Sequence, residues 1–191
     1  RRRAIPFAIR SSEDLMSSVK PSFFMPVVLL VLAACSSPLP IHTATAVDLE
    51  RFMGDWYVIA NIPTFIETNA YNAIESYRLA EDGTVATTFS FRKGGFEGAR
   101  KTYHPTGYII DTQSNAVWGM QFIWPVKADY RILYVDEAYN HTIIGRIQRD
   151  YVWLMARAPQ VSEVEYQRFL QLIAEEGYDV SKVRKVPQRW N

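Results

Sequence analysis

The chain has 191 residues, with 21 Lys and Arg against 20 Asp and Glu and a formal charge of +1 near pH 7. This balance leaves no basic stripe to follow a phosphate backbone, which argues against nucleic acid as a partner. A single cysteine excludes a disulfide within the chain, and the length suits one domain with its own core.

The first 34 residues are interpreted as a leader. Residues 1–15 carry charges of both signs, which an export signal does not need, and we interpret them as a gene-start artefact ahead of a true start at Met16. Residues 16–34 then form a signal peptide, with Lys20 before an uncharged apolar run at 23–34. About 20 apolar residues are needed to span a bilayer, so this shorter run is expected to be removed.

Cys35 closes the apolar run in the order Leu32-Ala33-Ala34-Cys35. This ending resembles the bacterial lipobox, in which the thiol receives a diacylglycerol and the cysteine becomes an acylated N-terminus, with palmitate as a typical acyl group. The alternative is a free cysteine at the end of an ordinary signal peptide. We expect residues 35–46 to be a lipidated tether with a reach of roughly 20 Å, and residues 47–191 to be the folded domain.

Eight short β-rich runs follow, separated by turn signals at the spacing of an antiparallel meander. They cover residues 56–62, 71–79, 84–92, 101–110, 116–123, 130–135, 142–146 and 151–156. Asp82-Gly83 predicts a tight hairpin after the second run, because Gly tolerates the positive φ of such turns. No helix interrupts the runs, so the predicted fold class is all-β: an eight-stranded up-and-down antiparallel barrel without exposed edges.

One amphipathic helix is predicted after the eighth strand. Ser162 and Glu165 have the spacing of a capping box, and Gly177 can end the helix. Its apolar stripe consists of Tyr166, Phe169, Leu170 and Ile173. We expect this stripe to pack on the outside of the barrel.

Aromatic residues make up 14% of the chain, and many of them alternate within the predicted strands. Residues two apart point to the same face of a strand, so such pairs concentrate rings on one side of the barrel. An eight-stranded barrel is either filled by side chains or holds one small ligand. The number of aromatic pairs favours a ligand-binding interior over a packed one.

Residues 54–57 (Gly-Asp-Trp-Tyr), at the start of the first strand, resemble the Gly-x-Trp signature of lipocalins. Residues 128–130 (Ala-Asp-Tyr) stand where that family has a Thr-Asp-Tyr type motif, and an arginine ends the eighth strand. The resemblance implies that the tryptophan plugs one end of the barrel and that the arginine stacks on the indole. The structural signature then consists of Gly54, Trp56, Asp129 and Arg157.

The resemblance is closer to the bacterial outer-membrane lipocalins and their plant and apolipoprotein D relatives. The segments that carry it are 55–60 with Pro63, 82–85, 130–136, 150–159 and 177–182; the fourth strand has no clear match. It implies a barrel that binds a lysophospholipid or a fatty acid during membrane maintenance. It also implies an acyl-cysteine anchor on the periplasmic face of the outer membrane.

Strand alternation, counted from Trp56 and Arg157, predicts which side chains face a ligand. The predicted ligand-binding residues are Val58, Ala60, Val85, Thr87, Phe89, Phe91, Phe122, Tyr130, Ile132, Tyr134, Tyr151, Trp153 and Met155. Such a pocket would bind an acyl chain by burying apolar surface, with a charged headgroup left at the mouth.

Two other functions are open at this point. Catalysis is not expected, because His42, His104 and His141 lack metal-ligand spacing and the one cysteine lies outside the barrel, unlike that of the family's isomerases. The second alternative is a packed barrel that binds another protein in the cell envelope. Its exposed apolar surface would be Tyr57 with Ile59, or the loop 63–69, and the same surface would suit a homodimer.

Overall fold

The computed structural model describes residues 40–190 of the chain. The predicted gene-start artefact, the signal peptide, Cys35 and the first residues of the tether lie outside the described residues. Within residues 40–190, no helix combines the length and the apolar character that crossing a membrane requires.

The described residues form a closed antiparallel barrel, which confirms the predicted fold class. A short helix, α1 (Leu49–Phe52), precedes the strands. The strands are β1 (Gly54–Ile62), β2 (Ala70–Leu79), β3 (Val85–Lys93), β4 (Arg100–Tyr103), β5 (Thr106–Ile109), β6 (Val117–Ile123), β7 (Val126–Val135), β8 (His141–Gly145) and β9 (Val152–Ala156). Strand β1 pairs with both β2 and β9 and so closes the barrel. After the helix α2 (Glu163–Glu175), a short strand β10 (Arg184–Lys185) pairs with β1.

The predicted fourth strand is interrupted, and its two halves are β4 and β5. Pro105 stands at the break, and proline has no N–H to donate to a neighbouring strand. Both halves still pair with β3, while β5 continues to β6. The two short strands therefore occupy one of the eight positions around the barrel.

The predicted hairpin between β2 and β3 is present. Gly83 has a φ of +80°, and its N–H donates to the carbonyl of Ala80 at 3.0 Å. The Asp82 carboxylate accepts hydrogen bonds from the Thr84 N–H at 2.9 Å and its hydroxyl at 2.7 Å. These local bonds fix the turn and, with it, the register of the two strands.

Helix α2 packs outside the barrel, as predicted. Ser162 and Glu165 form the capping box at its start. The side chains of Tyr166, Phe169 and Ile173 are buried against apolar residues of β1, β8 and β9. The helix thus covers the outer face of the strands that close the barrel.

The end of the barrel next to α1 is filled by aromatic side chains. Phe52 lies 5.2 Å from Trp56 and 5.6 Å from both Tyr77 and Trp118, measured between ring centroids. Phe52, Trp56 and Trp118 are fully buried. We call this the closed end; its connections are 80–84, 110–116 and 136–140, and the connections 63–69, 94–99, 124–125 and 146–151 lie at the opposite, open end.

Two residues predicted to face the interior lie outside it, because β-bulges change the phase of their strands. Between Val58 and Ala60 the pairing with β9 skips one residue, and Ala60 packs in the cluster beneath α2. Between Ile132 and Tyr134 the pairing with β8 skips in the same way, and the Tyr134 ring lies 6.0 Å from that of Phe169. The inward positions predicted for Ala60 and Tyr134 are therefore wrong.

Candidate functional site

Arg157 and Trp56 form the floor of the barrel. The Arg157 guanidinium carbon lies 3.8 Å from the centre of the indole. The guanidinium also donates to the carbonyls of Arg51, Met53 and Asp55, each at 2.8 Å. Gly54 has a φ of +94°, and a Cβ at this position would stand 3.3 Å from Nη1 of Arg157. The stacked pair thus needs glycine here, both for conformation and for space.

Asp129, expected as a fourth signature residue, is not part of this floor. Its carboxylate accepts from Nε of Arg131 at 2.9 Å and from the N–H of Ile147 at 2.7 Å, at the wall of the open end. The connection 136–140 supplies Tyr139 instead, whose carbonyl accepts from Nε of Arg157 at 3.3 Å. The Tyr139 hydroxyl accepts from the N–H of Asp48 at 2.8 Å. Sequence reasoning missed Tyr139.

Above this floor lies a cavity of about 580 Å³ that opens at the opposite end of the barrel. Its wall includes six of the residues predicted from strand alternation: Thr87, Phe89, Phe122, Tyr130, Tyr151 and Trp153. An eight-stranded barrel has just enough room for one small ligand, and a cavity of this size lies in the usual range for small-molecule sites.

The other inward predictions lie in the packed part of the interior and not on the cavity wall. These residues are Val58, Val85, Phe91, Ile132 and Met155. All five are at most 2% exposed. Phe91 still packs next to the cavity, since its ring lies 5.2 Å from that of Phe89. Strand alternation predicted the side of the sheet on which these five residues lie, but it did not predict how far they lie from the open end.

The cavity wall also contains residues that strand alternation did not assign to the pocket. The loop 63–69 folds over the mouth, and the break between β4 and β5 adds Tyr103, His104 and Pro105. The residues of the loop on the wall are Thr64, Phe65, Ile66 and Glu67. No periodic pattern marks them, because loop residues do not alternate between two faces as strand residues do.

Glu67 is one of two carboxyl groups buried at the cavity. It is 4% exposed and accepts hydrogen bonds from the Thr64 N–H at 3.0 Å and hydroxyl at 2.9 Å. The indole N–H of Trp153 donates to it at 3.2 Å. Burial raises the pKa of Glu67, and the hydrogen bonds from Thr64 and Trp153 oppose that rise. The loop 63–69 is thereby fastened to β9.

Glu75 is the second buried carboxyl group, and it projects inward from β2. The Tyr77 hydroxyl donates to it, and the oxygens of Tyr77 and Tyr130 lie 2.5 Å apart. Burial, followed by the nearby Glu67, raises the pKa of Glu75 to about 8. Burial, followed by Glu75, also raises the pKa of Tyr130. At neutral pH the interior therefore carries a largely neutral acid joined to two phenols.

The pairing between strands explains why Glu75 lies inside the barrel. Residues paired across antiparallel strands share one face of the sheet. Trp56 pairs with Glu75, Glu75 with Phe89, and Phe89 with Tyr103. Once the tryptophan is taken as inward, the β2 register puts Glu75 inside as well.

The three histidines lie apart from one another. His104 is at the cavity wall, where its Nδ1 lies 3.3 Å from the Thr88 hydroxyl. His42 contacts Glu176 at 3.2 Å, and His141 contacts Asp136 at 2.7 Å. Among residues 40–190, no three His, Cys, Asp or Glu side chains come together as a set that could hold a metal ion.

Comparison with known proteins gives one family. The model of the lipocalin-like domain matches residues 47–188 of the chain. Temperature-induced lipocalin-1 of Arabidopsis thaliana is 37% identical over 78% of this chain and 83% of its own length. The outer membrane lipoprotein Blc of Citrobacter freundii is 30% identical over 86% of this chain and 97% of its own length.

Solved structures share the fold. Insecticyanin from the tobacco hornworm Manduca sexta aligns with a TM-score of 0.62 and 15% identity, over 80% of this chain and 85% of that one. At such identity the likeness concerns the barrel alone. The cavity and its lining are properties of this sequence.

Proposed function

Since the chain belongs to the lipocalin family, whose members are generally binding and transport proteins, we propose that its cavity binds one lysophospholipid or fatty acid. The acyl chain enters the barrel from the open end, and the headgroup remains at the mouth. The bound lipid is stored or carried for maintenance of the membrane. The coarser function, binding of a hydrophobic ligand, follows from family and fold.

The cavity is the observation that carries this proposal. It is lined by Phe89, Met120 and Trp153 among other apolar side chains, and the floor of Trp56 and Arg157 lies beyond its inner end, separated from it by packed side chains. Burying apolar surface is worth about 25 cal/mol per Å², or ~0.8 kcal/mol per CH₂ group. A chain of several CH₂ groups therefore gains more from this interior than a few polar contacts would provide.

The charges of the site support the orientation of the ligand. Glu67 and Glu75 lie inside, where a carboxylate or phosphate at close range would be repelled once either acid ionised. Arg146 lies at the mouth, in an ion pair with Asp150 at 3.1 Å. An anionic headgroup thus has reason to stay outside, whereas a hydrocarbon tail does not.

The location of the protein is part of the same proposal. The Blc relatives are outer membrane lipoproteins by name, and Cys35 has the sequence context of an acylation site. We infer that acylated Cys35 holds the barrel at the periplasmic face of the outer membrane. The alternative of a barrel packed solid, acting only through protein contacts, has no support from an interior with a cavity of about 580 Å³.

Native mass spectrometry of residues 36–191 with a lysophospholipid or a fatty acid tests the proposal. A one-to-one adduct is expected, and Phe89→Asp should abolish it by placing a charge on the cavity wall. Thr88→Asp is the matched control, because Thr88 is only half-buried on the outer face of the same strand. A folded barrel that binds neither lipid, or equal binding by the two variants, would contradict the proposal.

A further inference from the structure

Large apolar side chains are exposed around the mouth of the barrel. Phe65 is 88% exposed, Ile123 76%, Trp124 82%, Val126 66% and Ile147 49%. We call these five residues the mouth rim. They belong to three of the four open-end connections or their flanks. Single exposed apolar residues are ordinary on soluble proteins, but a group at one end marks a contact surface.

The mouth rim is continuous with the cavity. Phe65, Ile123 and Val126 line the cavity while most of their surface faces outward. Trp124 lies at the tip of the β6–β7 connection, between two of them. An apolar surface thus runs from outside the barrel into its interior without a polar barrier at these residues.

Charge is distributed unevenly between the two ends. The closed-end connections 80–84, 110–116 and 136–140 contain five acidic residues and no Lys or Arg. At the open end, Glu97 and Asp150 are the exposed or half-buried acids of the connections. When each connection is counted with the two residues on either side of it, the open end has seven Lys or Arg against three Asp or Glu, and the closed end has one Arg against five acids. The mouth rim is therefore flanked by net positive charge, which an anionic lipid surface attracts.

The start of the described chain lies near the same end. The N–H of His42 donates to the Glu176 carboxylate at 2.8 Å, and the Glu176 carbonyl accepts from Nε of Arg149, in the open-end connection 146–151. Only residues 36–39 separate Cys35 from Pro40. Five residue steps span at most about 18 Å, whatever conformation they adopt.

We propose that the mouth rim docks on the bilayer in which acylated Cys35 is anchored, so that a lipid chain moves between bilayer and cavity without crossing water. This rests on the proposed function for its ligand and its anchor. Tryptophan beside aliphatic side chains, with cations around them, suits the interface between headgroups and acyl chains. A protein partner would not require the cations to flank the apolar residues at the end near which the described chain begins.

An environment-sensitive probe on each end of the barrel tests this docking. Acylation blocks the only native thiol, so Ile123→Cys provides a single site for a nitrobenzoxadiazole label. The matched control is Ile110→Cys, an isoleucine of the closed end that is 64% exposed. In the full acylated protein, reconstituted in vesicles rich in phosphatidylglycerol, the label at position 123 should shift to the blue and resist an aqueous quencher. The label at position 110 should do neither.

The remaining outcomes are distinct. Equal behaviour of the two labels in vesicles, or no change at position 123, overturns the docking. A shift at position 123 that depends on protein concentration without vesicles also overturns it and indicates contact between two copies. If the parent chain, without an introduced cysteine, takes up the label, its Cys35 thiol is free. That result contradicts the anchor but not the contact of the mouth rim with a bilayer. Both labelled variants are then measured in the Cys35→Ser background, where the same two results decide the docking.

A rim variant separates docking from ligand binding. Trp124→Ser combined with Ile147→Ser should weaken the partition of the Cys35→Ser protein into the same vesicles by about tenfold, and neither residue lines the cavity. Its affinity for a lysophospholipid in solution should stay within about threefold of the parent, because Phe89 and Trp153 still line the interior. Unchanged vesicle partition overturns the proposal, and loss of lysophospholipid binding alone would count against the cavity instead.

Discussion

Arg157 ties three parts of the chain together at the floor of the barrel. It contacts α1 and β1 through the carbonyls of Arg51, Met53 and Asp55, and the connection 136–140 through Tyr139. Charged hydrogen bonds contribute about 1.5–3 kcal/mol each when buried, and less when partly exposed. We expect Arg157→Ala to lower the free energy of unfolding by about 2–4 kcal/mol. Urea denaturation measures this loss.

The same variant should keep its ligand affinity, because the floor does not line the cavity. Arg157→Lys is the informative comparison: it keeps the charge but cannot reach several carbonyls in one plane, so it should recover only part of the stability. An unfolding midpoint unchanged by Arg157→Ala would contradict the role assigned to the floor.

Glu75 makes the stability of the barrel depend on pH. Its pKa rises from an ordinary 4.5 to about 8 on burial. An acid with a raised folded-state pKa contributes stability that is complete below its unfolded value and is lost as the pH rises through the folded one. Each pKa unit corresponds to ~1.4 kcal/mol. We expect the unfolding free energy to fall by a few kcal/mol between about pH 5 and pH 8.

The change that isolates this effect is Glu75→Gln, which retains an acceptor for the Tyr77 hydroxyl but cannot ionise. Its unfolding free energy should decline less between pH 5 and pH 8. Glu67 also has a raised pKa, so part of the decline should remain in the variant. Glu81→Gln, in the exposed closed-end turn, is the control for a lost carboxyl. Parallel pH curves for the wild type and Glu75→Gln would show that Glu75 does not titrate in this range.

The sequence predicted single residues well where a motif or a turn names them. Trp56 and Arg157 form the expected stacked pair. Asp129 was assigned to the signature by its neighbours in sequence, yet Tyr139 occupies the floor. Glu75 was overlooked because a charged residue is rarely expected inside, although its register with Trp56 places it there.

Bulges decide which side chains of a strand reach the ligand. The Tyr134 ring packs against Phe169 of the outer helix, whereas Tyr151 lines the cavity. We expect Tyr134→Ser to lower the unfolding midpoint but to leave lysophospholipid affinity unchanged. Tyr151→Ser should weaken that affinity several-fold. Fluorescence titration with a lysophospholipid measures the affinity of both variants. A loss of affinity in Tyr134→Ser but not in Tyr151→Ser would mean that Tyr134 faces the cavity and that β7 has no bulge.

At the scale of elements, alternation and turn residues predicted the eight barrel positions and the outer helix. The deviations come from features that a period of two does not encode: the bulges in β1 and β7, and the break at Pro105 in the fourth strand. The two bulges shift the side chains that follow them, whereas Tyr103 and Ile109, on either side of Pro105, both face the interior and keep the same phase. In β3 and β9, which have no bulge, the residues predicted to face the interior do so.

The molecule as a whole has two unlike ends. Aromatic packing closes one end, whose connections are acidic. The other end has the cavity, the loop 63–69 and the mouth rim. Neither the cavity depth nor the rim could be predicted from the sequence, because both depend on how eight strands close and where their connections fold back. The proposed anchor at Cys35 is predicted from the sequence alone, and the described chain begins near the open end.

The proposed location of the protein depends on the proposed acylation of Cys35. In a Gram-negative expression host, the wild-type chain should incorporate labelled palmitate and sediment with the outer membrane. Cys35→Ala should incorporate none, because the thiol is the only attachment site for the diacylglycerol, and the single cysteine leaves no second candidate. Ser36→Ala, at the adjacent position, should be labelled as strongly as the wild type.

Incorporation of labelled palmitate is the decisive measurement and sedimentation is not, because a chain that retains its apolar leader stays with membranes without being acylated. Palmitate incorporated by Cys35→Ala would place the lipid elsewhere and remove the anchor. If wild-type acylation is confirmed, the mouth rim adds a second contact with the same membrane. A diacylglycerol already provides the two acyl chains that stable anchoring needs, so the rim contact serves to orient the barrel on the membrane. Loss of Cys35 should then reduce retention at the outer membrane to what the rim alone supports, whereas loss of the rim should leave the acylated protein retained.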